Sequence, residues 1–537
     1  MRRPDLHLLA PTLGTGVAAL AYLLWAPATA DMAAHTYRAW LFANEGLTVW
    51  NAQWYGGHHV LGYSLLFAPL GVWPGPAWVG AISAVAAVAL FAPPARRAAR
   101  AAGAPGGVAE AAVWLFAAAV LANLVIGRMP FTLGIALAVA AWACGERPGP
   151  AWRAAAAACA LASVLASPVA GVFLALAAIA RLVAGGRREW PRAAVLVVPV
   201  AAGGAALAAL FPEGGSDRFV ASAFWPMLGV TAAGVLLLAP SRRAWRVGGL
   251  LALAVLAFAF LVPTPFGQNA LRLPVLLGPA ALLLAPRAGV PAVARLVVIG
   301  ALVYLAWLPA VRAVEEAHGD PSTQASFWRA PRDFLQRTTR PGERVEVAFT
   351  HNHWEAAYLA TTVQLARGWE RQLDEKANPL FYDGTALTPG RYHRWLRRNA
   401  VRWVALPDAP LDYSARTEAA LLRGGVPYLR LAHTSPGWRI FEVRDTEPPA
   451  SHGARVTAAG PNGFDLVASS ATVVRQRFTP YWHADGACVT PGPDGWTQVA
   501  PTRRGAVRVR ARFTLGGGRA DGCGATIAAP GRRVSSR

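Results

Sequence analysis

The chain has 537 residues, 55% of them hydrophobic, with a mean hydropathy of +0.34 and a formal net charge of +22. That composition excludes an ordinary soluble enzyme, and the charge does not indicate a nucleic-acid partner: Lys376 is the only lysine, and many arginines punctuate apolar segments. The sequence predicts a multi-pass protein of the bacterial plasma membrane.

Apolar runs occur near residues 8–30, 76–92, 108–126, 130–144, 154–166, 169–183, 193–211, 222–240, 246–262, 270–286 and 291–311. They predict about eleven transmembrane helices in a bundle over residues 1–311, although several runs fall short of the roughly 20 residues a straight span needs. The first run, behind Arg2 and Arg3, is long enough to be a retained helix rather than a cleaved leader. With the N-terminus cytoplasmic, sixteen loop arginines fall inside and only Arg38, Arg128, Arg218 and Arg272 outside. The positive-inside bias therefore favours this topology, and an odd number of spans makes everything after residue 311 extracytoplasmic.

The outer loop 31–75 opens with Asp31. On a helix, Asp31, His35, Arg38 and Glu45 share a polar stripe opposite Trp40 and Leu41, which predicts an amphipathic helix at the membrane surface. Asp31 also suits the N-cap of that helix. The next stretch, "WNAQWYGGHH", interleaves Trp50, Trp54 and Tyr55 with Asn51, His58 and His59 around a Gly-Gly turn. Flat rings beside hydrogen-bonding groups suit a sugar. Arg128, Arg218 and Arg272 are scarce outer cations, and Arg272 follows Gln268 and Asn269; the simpler use of such arginines is to anchor helix ends at the interface.

After residue 311 the composition turns to mixed charge. Residues 312–446 predict an extracytoplasmic α/β domain with strands at "RVEVAFT", "VRWVALPD", "PYLRLAHT" and "WRIFEV", and helices at "APRDFLQRT", "HWEAAYLATTV", "TPGRYHRWLRRNA" and near 415–424. Leu365 to Gly384 lacks periodicity and predicts a long loop over the membrane cavity. Residues 447–530 predict a small β-sandwich and 531–537 a disordered tail. Cys488 and Cys523 fall in the sandwich, on the oxidising side, and predict a disulfide. His351, His353 and Glu355 alternate as metal ligands on a strand would, but they also suit a strand end running into a helix start. No metal or other cofactor is assigned; a divalent ion is the one such group the acids leave open.

An outer Asp after the first helix, a surface helix behind it, about eleven spans and an outer C-terminal region together make the chain resemble the GT-C superfamily of membrane glycosyltransferases. The resemblance implies a bundle with an outer cavity, a polyprenyl-phosphate-linked sugar as donor, and an acid in the first outer loop acting at the acceptor. Asp31 in "DMAAH" stands at that position, though Met32 follows it where many members carry a second acid. The expected function is sugar transfer to an envelope glycan, lipid or protein acceptor, with membrane lipids as surroundings. Asp31 is then the base, Arg272 and Arg128 bind phosphate, and His35, Arg38, Trp50, Asn51, Trp54, Tyr55, His58, His59 and Asn269 line the substrate site. The competing classes are a transporter or flippase of a lipid-linked glycan, which should show internal repeats, and a non-catalytic envelope assembly protein, which has no need of the Asp31 stripe.

Overall fold

A computed structural model describes residues 9–383 and 387–514. Helix α1 (Leu9–Trp25) turns through 81° into α2 (Ala30–Glu45). A hairpin of β1 (Trp50–Asn51) and β2 (His58–His59) and a short α3 (Phe67–Val72) lead into ten longer helices. These are α4 (Pro76–Ala101), α5 (Gly106–Ile126), α6 (Met129–Gly145), α7 (Pro150–Ala166), α8 (Pro168–Gly185), α9 (Trp190–Leu210), α10 (Ala221–Leu237), α11 (Arg243–Leu261), α12 (Arg272–Leu284) and α13 (Ala292–Ala317). Each apolar run of the sequence carries one helix. Ser167, extended ahead of Pro168 as a residue before proline prefers, separates α7 from α8.

Five segments are long and apolar enough to cross a membrane, the pair α8–α9 counting as one, or six if the bent pair α1–α2 is one span. Helices α6, α7 and α10 are apolar but shorter, and α12 has only 13 residues. Helix length among the described residues thus carries five or six spans, not eleven. Alanine dominates the packed faces, as in Ala84, Ala87, Ala112, Ala117, Ala156 and Ala160, because small side chains let backbones approach where lipid offers no hydrophobic drive. Large side chains such as Val17 and Leu24 on α1 and Leu296 and Val297 on α13 face outward.

Contacts between connections sort the bundle into two ends. At one end Thr29 meets Ile126, Leu65 meets Leu165, and Asp217 meets Thr264. At the other, Arg242 meets Ala101, Arg181 meets Glu146, and Ala239 meets Ala285. Helices α4 to α13 alternate between these ends, so the chain leaves α13 at the end where α2 begins.

Beyond α13 and α14 (Arg329–Thr338), strands β3 (Arg344–Val347), β4 (Gln364–Leu365), β5 (Val401–Pro407), β6 (Leu429–Ser435) and β7 (Trp438–Val443) form one sheet in the order β4-β3-β5-β7-β6. Strand β3 runs parallel to β4 and β5, and the β5-β7-β6 edge is antiparallel. Its helices are α15 (Glu355–Tyr358), α16 (Arg371–Ala377), α17 (Pro389–Arg398) and α18 (Arg416–Gly424). Two expectations need correction here. The helix from His353 to Val363 is a single turn, α15, because the β-branched run Thr361-Thr362-Val363 leads straight into β4. The predicted loop from Leu365 to Gly384 carries α16, which Arg367 fastens from outside its ends by reaching Asp374 at 2.7 Å.

Strands β8 (Arg455–Gly460), β9 (Gly463–Ala468), β10 (Thr472–Arg477), β11 (Trp482–Asp485), β12 (Ala487–Pro491), β13 (Trp496–Pro501) and β14 (Gly505–Ala511) form two sheets, β11-β14-β9-β8 and β10-β13-β12. Phe464, Leu466, Val474, Trp482, Val499 and Val509 fill the space between them. Cys488 lies on β12; its predicted partner Cys523 and the tail 531–537 lie outside the described residues.

Candidate active site

Asp31 is the second residue of α2, half-buried in its first turn, where the helix dipole favours a carboxylate. It is not the cap: the N-cap is Thr29, whose Oγ1 donates to Ile126 O at 2.8 Å. Gly127 makes that approach possible. Its φ is +96°, and a Cβ there would lie 2.8 Å from Thr29 Oγ1 and 3.3 Å from Asp31 Cβ.

The middle of α2's polar stripe is buried rather than spread on a membrane surface: His35 and Arg38 are buried, Asp31 is half-buried and only Glu45, at the end, is exposed. His35 packs between Tyr63 and Phe67, with ring centroids 6.1 and 5.0 Å away. Arg38 is 6% exposed, lies 3.8 Å over the Tyr63 ring, and pairs with Glu370 at 2.9 Å. The C-terminal region contributes Glu370 to that side and covers the other face of α2 with Trp354, Ala356 and Leu359 against Ala33, Tyr37 and Leu41. A helix whose middle turns are packed on both sides cannot lie flat on lipid.

Three further connections meet Asp31 at this end of the bundle. Arg128 caps α6, its Nη1 3.3 Å from Asn123 Oδ1, and its Nε is buried with no partner among the described residues. Arg272 opens α12, its guanidinium 4.9 Å from the Phe131 ring. Asp31, Tyr63 and Asp217 all lie within electrostatic range of both arginines. Tyr63 is 38% exposed, and sequence reasoning missed it; a lone Tyr in an aromatic loop carries no signal of its own.

Asp217 was also missed, although its neighbour Arg218 was singled out. Its Oδ2 accepts from Gln268 N at 3.0 Å and from Asn269 Nδ2 at 3.5 Å, so it holds the turn that delivers Arg272. Asn269 thus spends its amide on Asp217. Burial keeps the Asp217 carboxyl above the usual Asp range, against the pull of the Gln268 N–H and of Arg272 and Arg128. Burial likewise raises Glu370, with Arg38 opposing.

The aromatic hairpin has a different place. Trp50, Asn51, Trp54, Tyr55, His58 and His59 are all buried, Asn51 and Trp54 completely. Trp54 stacks on Tyr37 and on His58, at 4.5 and 5.5 Å. Tyr37 donates to Asn51 Oδ1 at 2.8 Å, and Tyr55 donates to Gly368 O at 2.6 Å. His59 Nδ1 lies 2.8 Å from Glu213, its Nε2 3.2 Å from Thr479 Oγ1, and Trp50 meets Trp482 edge-on at 5.9 Å. Burial pushes the His58 imidazole down to about 4, so it is neutral at physiological pH. With their faces covered by protein, these six residues form the joint between bundle, sheet and sandwich. The sugar-lining role read from their composition is not what their surroundings provide.

The histidine–glutamate run diverges as well: His351 turns to Glu316 at 3.1 Å and His353 to Glu355 at 3.2 Å. Among the described residues no group of three or more His, Cys, Asp or Glu is arranged to hold a metal ion.

Beneath the arginines lies a cavity of about 490 Å³ between α4, α6, α8, α10, α11 and α12. Leu273 and Pro274, directly after Arg272, line one end, and Phe173, which touches Phe131 edge-on at 5.8 Å, lines the wall. The middle is apolar, with Ile135, Val235 and Leu277 on its sides. Charge returns only at the far end, in Arg97, Glu146 and Arg181. The cavity thus joins the arginine end through the first turn of α12, where Arg272 is followed by Leu273 and Pro274.

Among solved structures the chain is similar to ArnT from Cupriavidus metallidurans in the apo state, at 14% identity and a TM-score of 0.41, over 77% of this chain and 93% of that one. It is similar also to ArnT from the same organism bound to undecaprenyl phosphate, at 14% identity and a TM-score of 0.42, over 81% and 97%. No family model and no curated protein matches the chain.

Proposed function

We propose that the protein is an integral membrane glycosyltransferase that moves a sugar from a polyprenyl-phosphate donor to a cell-envelope acceptor on the outer face. One observation carries this reading: Arg272, which has no hydrogen bond to protein among the described residues, directly precedes Leu273 and Pro274 in the lining of a mostly apolar cavity and lies within electrostatic reach of Asp31. The cavity suits an isoprenoid chain, and the two guanidinium groups suit its phosphate, because each fork stays charged and can bind two oxygens. Tyr63, exposed and within electrostatic range of both arginines, suits the sugar or the phosphate as a hydroxyl donor.

In this reading the acceptor hydroxyl gives its proton to the Asp31 carboxylate as its oxygen bonds to the anomeric carbon. The bond from that carbon to the phosphate oxygen breaks, its electron pair stays on the leaving polyprenyl phosphate, and Arg272 and Arg128 stabilise the charge that develops there. Asp31→Asn nearly preserves shape and keeps a polar group in the first turn, so the variant should fold and bind donor yet lose transfer by about a hundredfold or more, the usual span for a positioned base. Purified wild-type and Asp31→Asn protein, supplied with a polyprenyl-phosphate-linked sugar, decide the matter by release of free polyprenyl phosphate. Equal release by the two would remove Asp31 from the chemistry, and none from the wild type would remove the reaction class.

A further inference from the structure

The helix that carries Asp31 starts at an 81° bend, and residues 26–29 make the turn. A bend alone fixes neither the axial position of the following helix nor its rotation; outside contacts must supply both. From the bundle comes the bond of Thr29 Oγ1 to Ile126 O. From the C-terminal region come two indoles: Trp354 Nε1 donates to Ala28 O and Trp369 Nε1 to Ala30 O, each at 2.9 Å. The carbonyls they hold flank the start of α2, one of them on the residue next to Asp31.

Trp369 is itself held tightly. The His353 ring lies parallel to it, 8° off and 3.5 Å between centroids, and the Arg371 guanidinium stands 5.0 Å from its ring. His353 has a φ of +55°, a region side chains rarely adopt, and sits between Glu355 at 3.2 Å and Asp412 at 3.5 Å. Arg371 closes the set by pairing with Asp412 at 2.7 Å. A strained, buried His353 and the Arg371–Asp412 pair therefore stand behind a single indole N–H aimed at the start of α2. The next residue, Glu370, reaches Arg38, seven residues or two turns beyond Asp31 on the same face of α2, and its N–H is held by the Tyr55 hydroxyl at 2.9 Å.

We infer that Trp369 and Glu370 are positioning residues: Trp369 sets the axial place of Asp31 through the Ala30 carbonyl, and Glu370 sets the rotation of α2 through Arg38. The inference rests on the reading of Asp31 as the base. Neither residue touches the reacting atoms; both act through the helix.

Trp369→Phe keeps a ring on His353 and deletes the N–H. In the full-length protein with a polyprenyl-phosphate-linked sugar, kcat should fall about tenfold or more, the scale of loss when a reacting group is displaced by a fraction of an ångström. KM for the donor should stay within roughly twofold, since Arg128 and Arg272 are untouched. Amide hydrogen exchange should quicken over residues 26–34 and not in the α/β sheet. Glu370→Gln, which keeps an oxygen for Arg38, should restore most of the kcat that Glu370→Ala loses. Unchanged kcat with unchanged exchange in folded Trp369→Phe protein would overturn the inference, and so would exchange that quickens throughout the chain. If the wild type transfers no sugar, the glycosyltransferase reading fails while the exchange measurement still decides the positioning.

Discussion

A guanidinium without a protein acceptor at the head of an apolar cavity is costly to keep unless an anion visits it. Among the described residues Arg272 has no protein acceptor and stands next to the cavity-lining Leu273, and its ring contact with Phe131 orients it without using its donors. Arg272→Lys keeps the charge and loses the fork. It should leave expression and thermal midpoint near wild type while lowering kcat/KM for a polyprenyl-phosphate donor by at least about tenfold, or roughly 1.4 kcal/mol of transition-state stabilisation. A lysine variant with wild-type kcat/KM would show that only a point charge is needed there. At this scale the sequence was legible where a charge was rare: Asp31, Arg128 and Arg272 stand out because outer connections hold so few ions. Tyr63 and Asp217 were not, since their importance lies in what surrounds them and nothing in spacing reveals it.

Elements were legible where periodicity was strong. Strands β3, β5, β6 and β7 and helices α14, α17 and α18 fall on the segments whose alternation or helical spacing marks them. The failures, α15 and α16, are short pieces held by buried ions instead of by pattern. Arg367, 1% exposed, lies 2.7 Å from Asp374, 3.7 Å from Glu346 and 3.9 Å from Glu418, three acids around one cation. Burial pushes Glu418 up to about 7, with Arg367 and the Tyr392 hydroxyl opposing, and burial together with Glu418 raises Glu346 well above its usual range. The folded sheet then holds protons that an unfolded chain releases near pH 4.3, so this stability is present at low pH and is lost as pH rises through about 7. Asp412 works in the opposite sense: burial opposes its ionisation, but His353 and Arg371 hold it far below the usual range, so its contribution is lost as pH falls below about 4. Glu418→Gln keeps an oxygen for Tyr392 and removes the proton to be lost. Its thermal midpoint should therefore decline less than that of the wild type between about pH 5 and about pH 8. An identical pH profile in the two proteins would mean that Glu418 does not titrate in the folded sheet.

At the scale of the whole molecule, contacts tie the site to the C-terminal region independently of any membrane. Trp354 and Trp369 hold the start of α2, Glu370 holds Arg38, and Lys376 reaches Glu213 O in the α9–α10 connection. Site, sheet and sandwich therefore occupy one end of the bundle, and whichever side of a membrane receives one receives all. The arginines of the bundle divide in the same way. Fourteen of them, from Arg96 to Arg295, lie in or beside the connections α4–α5, α6–α7, α8–α9, α10–α11 and α12–α13, at the end opposite Asp31, whereas five, Arg38, Arg128, Arg218, Arg272 and Arg312, lie at the site end. Since arginine-rich connections stay in the cytoplasm, we expect the site end to face outward, where a lipid-linked donor would be presented. A reporter that is active only outside the cytoplasm, joined after His318, should be active, and one joined after Arg242 should be silent. The reverse pair of results would turn the whole molecule over, moving Asp31 and the C-terminal domains to the cytoplasmic face together, since their mutual contacts do not allow one to move without the other.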